Sequence, residues 1–195
     1  MTATPLETPR LLLRPLTLQH LSALQCWEAD PELRNLNDED AAPAPPHEVQ
    51  AIVHGWLRPG RDDLVPLAIH QRRDDQCIGW CMLAAIDRDA GECRVGLTLG
   101  QRELWGRGLG AEVLTALLAH AFGQLGMRRV LCEVHAFNTR SRRLLERAGF
   151  RLLHTDPGAI RRGDQLHDEL VFAIELERPP SGGSGPTSDS SDVHV

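Results

Sequence analysis

The sequence predicts one α/β domain, with a mixed, mostly antiparallel sheet flanked by helices. Three observations predict it. Short runs of apolar residues bounded by turn signals recur in both halves of the chain. Longer stripes at helical spacing separate them. The order is rich in consecutive strands and contains no internal repeat, so no chain of βαβ units is present. At 195 residues, with 42% apolar and 25% charged residues, the chain suits one soluble domain with a proper core.

The elements follow in order. "RLLLRPL", from Arg10 to Leu16, reads as a first strand. Thr17 can cap a helix carrying Leu18, Leu21, Leu24 and Trp27 on one face. "PELRNLNDED" and "AAPAPP" read as an irregular acidic connection, and "HEVQAIVHGWL" as a second helix. "LVPLAIH" and "CIGWCMLAAI" are strands split by the turn "QRRDDQ". "ECRVGLTLG" alternates Cys93, Val95, Leu97 and Leu99 against Arg94, Gly96 and Thr98, giving a fourth strand with two unlike faces.

Val113, Leu114, Leu117, Leu118, Ala121, Phe122 and Leu125 form the stripe of a helix packed on a sheet. "RRVLCEVHA" is a strand, and "NTRSRRLLERAGF" is a short helix capped by Asn138 and stopped by Gly149. "FRLLHT" and "LHDELVFAIEL" should close the domain as an antiparallel pair. The domain is expected over residues 1–178. The tail "PPSGGSGPTSDSSDVHV", residues 179–195, has little to bury and is expected to be disordered.

No apolar run approaches the roughly 20 residues of a membrane span. The first ten residues lack the basic start and apolar core of a signal peptide. Cys26, Cys77, Cys81, Cys93 and Cys132 are odd in number and scattered over core elements. They read as structural thiols in a reducing cytoplasm, and no metal is expected. The chain has no lysine and no tyrosine.

The chemistry-bearing stretch is "LWGRGLGAEV", Leu104 to Val113. A helix N-terminus carries about half a positive charge and unpaired N–H groups, so it attracts anions. Gly106, Gly108 and Gly110 remove the side chains that would hold a phosphate away, and Arg107 adds a fixed charge. The spacing is neither that of a P-loop nor that of a dinucleotide fingerprint. From Gln101 to Arg151 nine arginines face four glutamates, a net of about +5 in a chain whose total is −6. That asymmetry suits a phosphorylated ligand. It suits nucleic acid less, because aromatics are few and the whole chain is acidic.

A strand, x-G-R-G-x-G, a helix, a strand and "N-x-x-S-x-x-L-x-x-x-GF" together resemble the GCN5-related N-acetyltransferase (GNAT) family. The opening "RLLLRPLTLQHLSALQCWEADPELRNL", the strand "IGWCML" and Trp105 before the glycines resemble its RimJ/RimL branch, which acetylates ribosomal-protein N-termini. The similarity runs from about Arg10 to Leu176. It implies a single GNAT-type domain, acetyl-CoA as donor, an amine as acceptor, no metal, and often a homodimer. Trp105, Gly106, Arg107, Gly108, Leu109 and Gly110 would hold the pyrophosphate. Leu97, Thr98 and Leu99 would pair with the pantetheine arm, and Asn138 would bond the cofactor or only cap its helix.

The resemblance also implies a backbone N–H in a bulged fourth strand, near Leu99, as oxyanion donor. Many members use a tyrosine as acid. Here Ser141, which matches the serine of the branch, is the substitute. For the base, Glu92 opens the cofactor strand where relatives carry an acidic residue. Asp168 matches an acidic position of the last hairpin and could orient the acceptor. His135, His167 or a water chain are further routes for the proton. The first two helices and their connection would line the acceptor side. There Asp38, Glu39 and Asp40 sit in a segment, Glu28 to Gln50, with seven acidic residues against Arg34 alone. A non-catalytic acyl-CoA sensor of the same fold is the alternative.

Overall fold

The computed structural model describes residues 5–37, 43–162 and 164–176. Asp38, Glu39, Asp40 and the tail from Pro179 lie outside the described residues. Among the described residues eight strands form one sheet: β1 (Leu6–Glu7), β2 (Leu11–Pro15), β3 (Val65–Gln71), β4 (Cys77–Asp87), β5 (Glu92–Leu99), β6 (Arg129–His135), β7 (Arg151–Arg162) and β8 (Gln165–Glu175). Their spatial order is β1-β2-β3-β4-β5-β6-β8-β7. Every neighbouring pair is antiparallel except β5 with β6. The helices are α1 (Leu21–Glu28), α2 (Pro31–Asn37), α3 (Pro46–Trp56), α4 (Leu109–Gly123) and α5 (Thr139–Arg147). No helix among the described residues is long and apolar enough to cross a membrane.

The strand period of two sends side chains to opposite faces. On β3, Leu67 and Ile69 join one core with α4, while Ala68 joins a second core with α1, α2 and α3. The stripe of α4 is buried as its spacing dictates: Leu109, Val113, Leu114, Leu117 and Ala121. Each such leucine contributes roughly 1.5–3 kcal/mol when fully buried. Leu24 and Trp27 of α1, with Val49 and Val53 of α3, fill the second core. Trp27 also fixes the end of β5, because a Cβ on Gly100 would lie 2.2 Å from its indole ring.

Several sequence expectations are corrected. Pro31–Asn37 is a helix, not an irregular connection. The Asp30 carboxylate accepts from the backbone N–H groups of Glu32 (2.9 Å) and Leu33 (3.4 Å), and Pro31 supplies a pre-set φ at the first helical position. Thr17 caps a 3₁₀ turn, Leu18–His20, that runs on into α1. The short β1 adds a strand before the expected first one, and β7 continues through Pro157 and Gly158 by means of two register shifts. The bulge expected near Leu99 is elsewhere: β4 and β5 stay in register from Gly79↔Leu99 to Ala84↔Arg94, and the shift falls between Ala84 and Asp87.

Candidate active site

The parallel pairing of β5 and β6 stops at Arg94↔Leu131. Beyond it β6 continues along β8, whereas β5 stays with β4 up to Leu99. The two strands therefore diverge. Gly100 N–H donates to Ile78 C=O (2.9 Å), which makes Leu99↔Gly79 a non-hydrogen-bonded pair. The N–H and C=O of Leu99 consequently face away from β4. Those of Leu97, two residues earlier, do the same. The direction is visible in Trp105, whose indole Nε1 donates to Leu99 C=O at 2.8 Å.

A cavity of about 390 Å³ occupies the divergence. Its floor includes Val95, Gly96, Leu97 and Thr98 of β5 and Cys132 to His135 of β6. Asn138, Ser141, Leu144 and Leu145 close one side. Glu28, Arg34, Val53, Trp56 and Trp80 line the other, toward the helices α1 to α3.

The glycine turn stands at the mouth of α4. Gly106 and Gly108 have φ of +75° and +78°, the left-handed region that costs a side-chain-bearing residue roughly 1–2 kcal/mol. Gly108 is the N-cap of α4. A Cβ on Gly110 would lie 3.4 Å from Leu144 and 4.0 Å from Leu97, both on the cavity wall, so turn and cavity adjoin. The guanidinium of Arg140 stacks over Trp105, 3.9 Å from its centroid.

A network from the N-terminal strands anchors this turn. The Arg10 guanidinium donates to Arg107 C=O (2.9 Å) and to Glu112 in the first turn of α4 (2.6 Å). The Thr8 hydroxyl (2.5 Å) and the Arg10 backbone N–H (2.8 Å) donate to the other oxygen of that carboxylate. Burial alone would raise the Glu112 carboxyl, but these donors hold it below its ordinary value.

Asn138 caps α5 by accepting from Ser141 N–H (3.1 Å), and its amide donates to Leu36 C=O (3.2 Å). The side chain thus ties α2 to the start of α5. Ser141 faces the cavity while only its backbone is used in the cap.

Two expected residues stand apart. Glu92 lies at the closed end of the divergence, paired with Arg129 (3.2 Å) and absent from the cavity wall. It is seven residues from Leu99, roughly 23 Å at strand rise. Asp168 is exposed, and its carboxylate accepts from Gly158 N–H (3.0 Å), pinning the irregular part of β7. His135 lines the cavity, as do Glu28, which opens the acidic segment, and Glu133 and Glu169, which the sequence reading did not single out as site residues. Glu28 pairs with Arg34 (3.0 Å), and Asp30 and Glu32 both pair with Arg102, so much of the acidic segment is neutralised locally. Nothing in the sequence marks Glu133 or Glu169; only the divergence of β5 from β6 brings them to the wall.

Diverging parallel strands, an open backbone edge and a glycine turn at a helix N-terminus define an acyltransferase of GNAT type. The acetyltransferase (GNAT) domain family matches residues 10–151, and the chain belongs to that family. Among solved structures it is similar to a candidate acetyltransferase from T. thermophilus, at 27% identity and TM-score 0.72, over 90% of this chain and 92% of that one. It shares its fold with RimL, the ribosomal L7/L12 alpha-N-protein acetyltransferase, in complex with coenzyme A: 20% identity, TM-score 0.78, 89% and 98% covered. The spermidine N-acetyltransferase from Vibrio cholerae, in complex with CoA and spermine, matches at 14% identity and TM-score 0.77, with 86% and 96% covered.

Proposed function

We propose that the chain moves an acetyl group from acetyl-CoA directly to a primary amine, in the manner of the RimJ/RimL branch, without a covalent acyl-enzyme. The observation that carries this reading is the outward-facing backbone of Leu97 and Leu99 beside the glycine turn. The pyrophosphate binds against the N–H groups of residues 106–110 with the Arg107 charge nearby. The pantetheine arm adds to the open edge of β5 as an extra strand would.

The amine nitrogen attacks the thioester carbon, and Leu99 N–H donates to the oxygen as it becomes anionic. The C–S bond then breaks. The Ser141 hydroxyl gives its proton to the departing thiolate and regains one, through water, from the acetylated nitrogen. No dedicated base is assigned: an N-terminal amine has a pKa of roughly 8 and needs little help at neutral pH. Glu92 keeps to its ion pair with Arg129. The acceptor enters from the side of α1 to α3. There Trp56 and Trp80, with centroids 5.2 Å apart, supply aromatic faces that attract a cation.

The test is release of thiol from acetyl-CoA with a panel of amines: peptides with free N-termini, polyamines and aminoglycosides. At least one acceptor should give turnover and an N-acetylated product of the expected mass. Tight acetyl-CoA binding with no turnover on any of them would replace the enzyme by an acyl-CoA sensor.

A further inference from the structure

A second cluster of chemistry-bearing side chains lies at the turn between β3 and β4. The register shift between Ile69 and His70 sets His70 directly opposite Cys77, so both project from the same face of the hairpin. The 3₁₀ turn before α1 brings His20 onto them. The Nε2 atoms of His20 and His70 stand 3.1 Å apart, and their rings meet edge to face with centroids 5.3 Å apart. With the Cys77 sulfur, the three potential ligand atoms all lie within 4.8 Å of one another.

We infer that His20, His70 and Cys77 form a binding site for one borderline-soft divalent metal ion of the Zn²⁺ class. Imidazole and thiolate are the ligands such ions select. Two nitrogens each about 2.0–2.1 Å from zinc stand roughly 3.3 Å apart across a tetrahedral angle, close to the separation already present. A movement of the thiol by no more than about 1 Å would complete the triad at zinc–ligand lengths. Water can fill the fourth position of a tetrahedral ion.

The surroundings of His70 hold its ring as a metal site requires, whereas His20 must exchange its tautomer. His70 Nδ1 lies 2.9 Å from Asp75 C=O, so its proton sits there and Nε2 presents a lone pair. His20 Nδ1 accepts from Thr17 N–H (3.0 Å), which places the His20 proton on Nε2, directed at His70. A metal ion takes the place of that proton. The proton moves to His20 Nδ1, which gives up the bond from Thr17 N–H and donates instead to Thr17 C=O (3.2 Å) or the Thr17 hydroxyl (3.1 Å). The Cys77 thiol binds as thiolate, so binding releases one proton to solvent. One metal–sulfur bond forms as one S–H bond breaks, with no change of oxidation state.

The bound ion would fasten the entrance of α1 to the β3–β4 hairpin. That helix carries Trp27, which seats the end of β5, and Glu28, on the cavity wall. The site is thus a clamp outside the cavity.

The test is calorimetric titration of chelator-treated, full-length protein with Zn²⁺ in buffers of different ionisation enthalpy. A single site of sub-micromolar Kd is expected, releasing about one proton per ion. Co²⁺ should give intense thiolate-to-metal absorption in the wild type. Cys77→Ser should abolish that band, and His20→Gln should weaken Zn²⁺ binding by more than the 10- to 100-fold that an outer-shell change costs. Cys26→Ser, at an exposed thiol elsewhere, should change neither readout. Zn²⁺ at 100-fold above Kd should raise the wild-type melting temperature by about 5–10 °C. No site tighter than about 10 μM, or a Co²⁺ thiolate band that survives in Cys77→Ser, overturns the inference.

Discussion

Ser141 can lose its hydroxyl without losing its structural part, because only its backbone N–H joins the cap on Asn138. Ser141→Ala should therefore fold normally. Its kcat should fall by about the 10²- to 10⁴-fold typical of a lost general acid, with KM for acetyl-CoA little changed. An unaltered kcat under conditions where chemistry limits the rate would return Ser141 to packing. Glu92→Gln is the contrasting substitution. It removes a half-exposed ion pair worth roughly 0–1 kcal/mol, and kcat should stay within experimental error. A large fall in kcat there would restore Glu92 as the base.

Glu112 gives a pH prediction at the same scale. Its folded carboxyl sits below the ordinary value of 4.5, so the stability it contributes is fully present above that value. The contribution fades as pH falls through the folded value. Glu112→Gln should lower stability at pH 7 by roughly 1–3 kcal/mol, the usual range for charged hydrogen bonds. The difference from wild type should begin to shrink below the ordinary value and be lost once pH has fallen through the folded value, where both side chains are neutral. Urea unfolding at pH 7 and pH 3.5 would measure it, and an undiminished gap at the lower pH would dissociate the effect from ionisation.

Among elements, the turn into α4 is the most demanding on its residues. Any side chain at Gly108 meets a positive φ of 78°. The space itself is open, with the Arg10 guanidinium 3.6 Å from a built Cβ as the nearest group. Gly108→Ala should therefore cost only the left-handed strain, about 1–2 kcal/mol. Gly108→Glu adds a carboxylate where the phosphates must approach, and it should abolish CoA binding while the fold survives. Calorimetry that finds wild-type affinity for CoA in the folded Glu variant would move the pyrophosphate elsewhere.

At the scale of the molecule, charge is divided along the chain, basic from Gln101 to Arg151 and acidic from Glu28 to Gln50. Arg34 and Arg102 absorb the charge of Glu28, Asp30 and Glu32, which leaves Glu48 and the proposed recruiters of a cationic amine, Asp38, Glu39 and Asp40. Their replacement by Asn, Gln and Asn should raise acceptor KM at low salt and spare acetyl-CoA KM. For the wild type, kcat/KM with a cationic acceptor should fall as salt rises, since screening shortens to about 8 Å at physiological ionic strength. Equal acceptor kinetics in the triple variant would make that segment a surface loop only.

Local rules make much of this protein legible in one dimension. The stripe of α4 is readable because burial follows a 3.6-residue period, and the cap at Asn138 because an amide at that position satisfies an orphan N–H. The GNAT-type arrangement shows in the glycine turn and the N-x-x-S helix start, since backbone bareness and capping are properties of neighbours in sequence. The cap of α2 is equally local, in Asp30-Pro31-Glu32, but a charge-rich composition masks it as a loop. Other features depend on residues far apart. Where β5 leaves β6, which carboxylates reach the cavity wall, and that Arg10 anchors the Arg107 carbonyl are set by packing across the sheet. Glu92 shows the difference most plainly: its strand is evident from alternation, yet which end of that strand borders the cavity is decided by the strand pairing. Likewise His20, His70 and Cys77 meet only through a register shift of one residue, which turns a side chain to the other face and leaves no trace in the order of the amino acids.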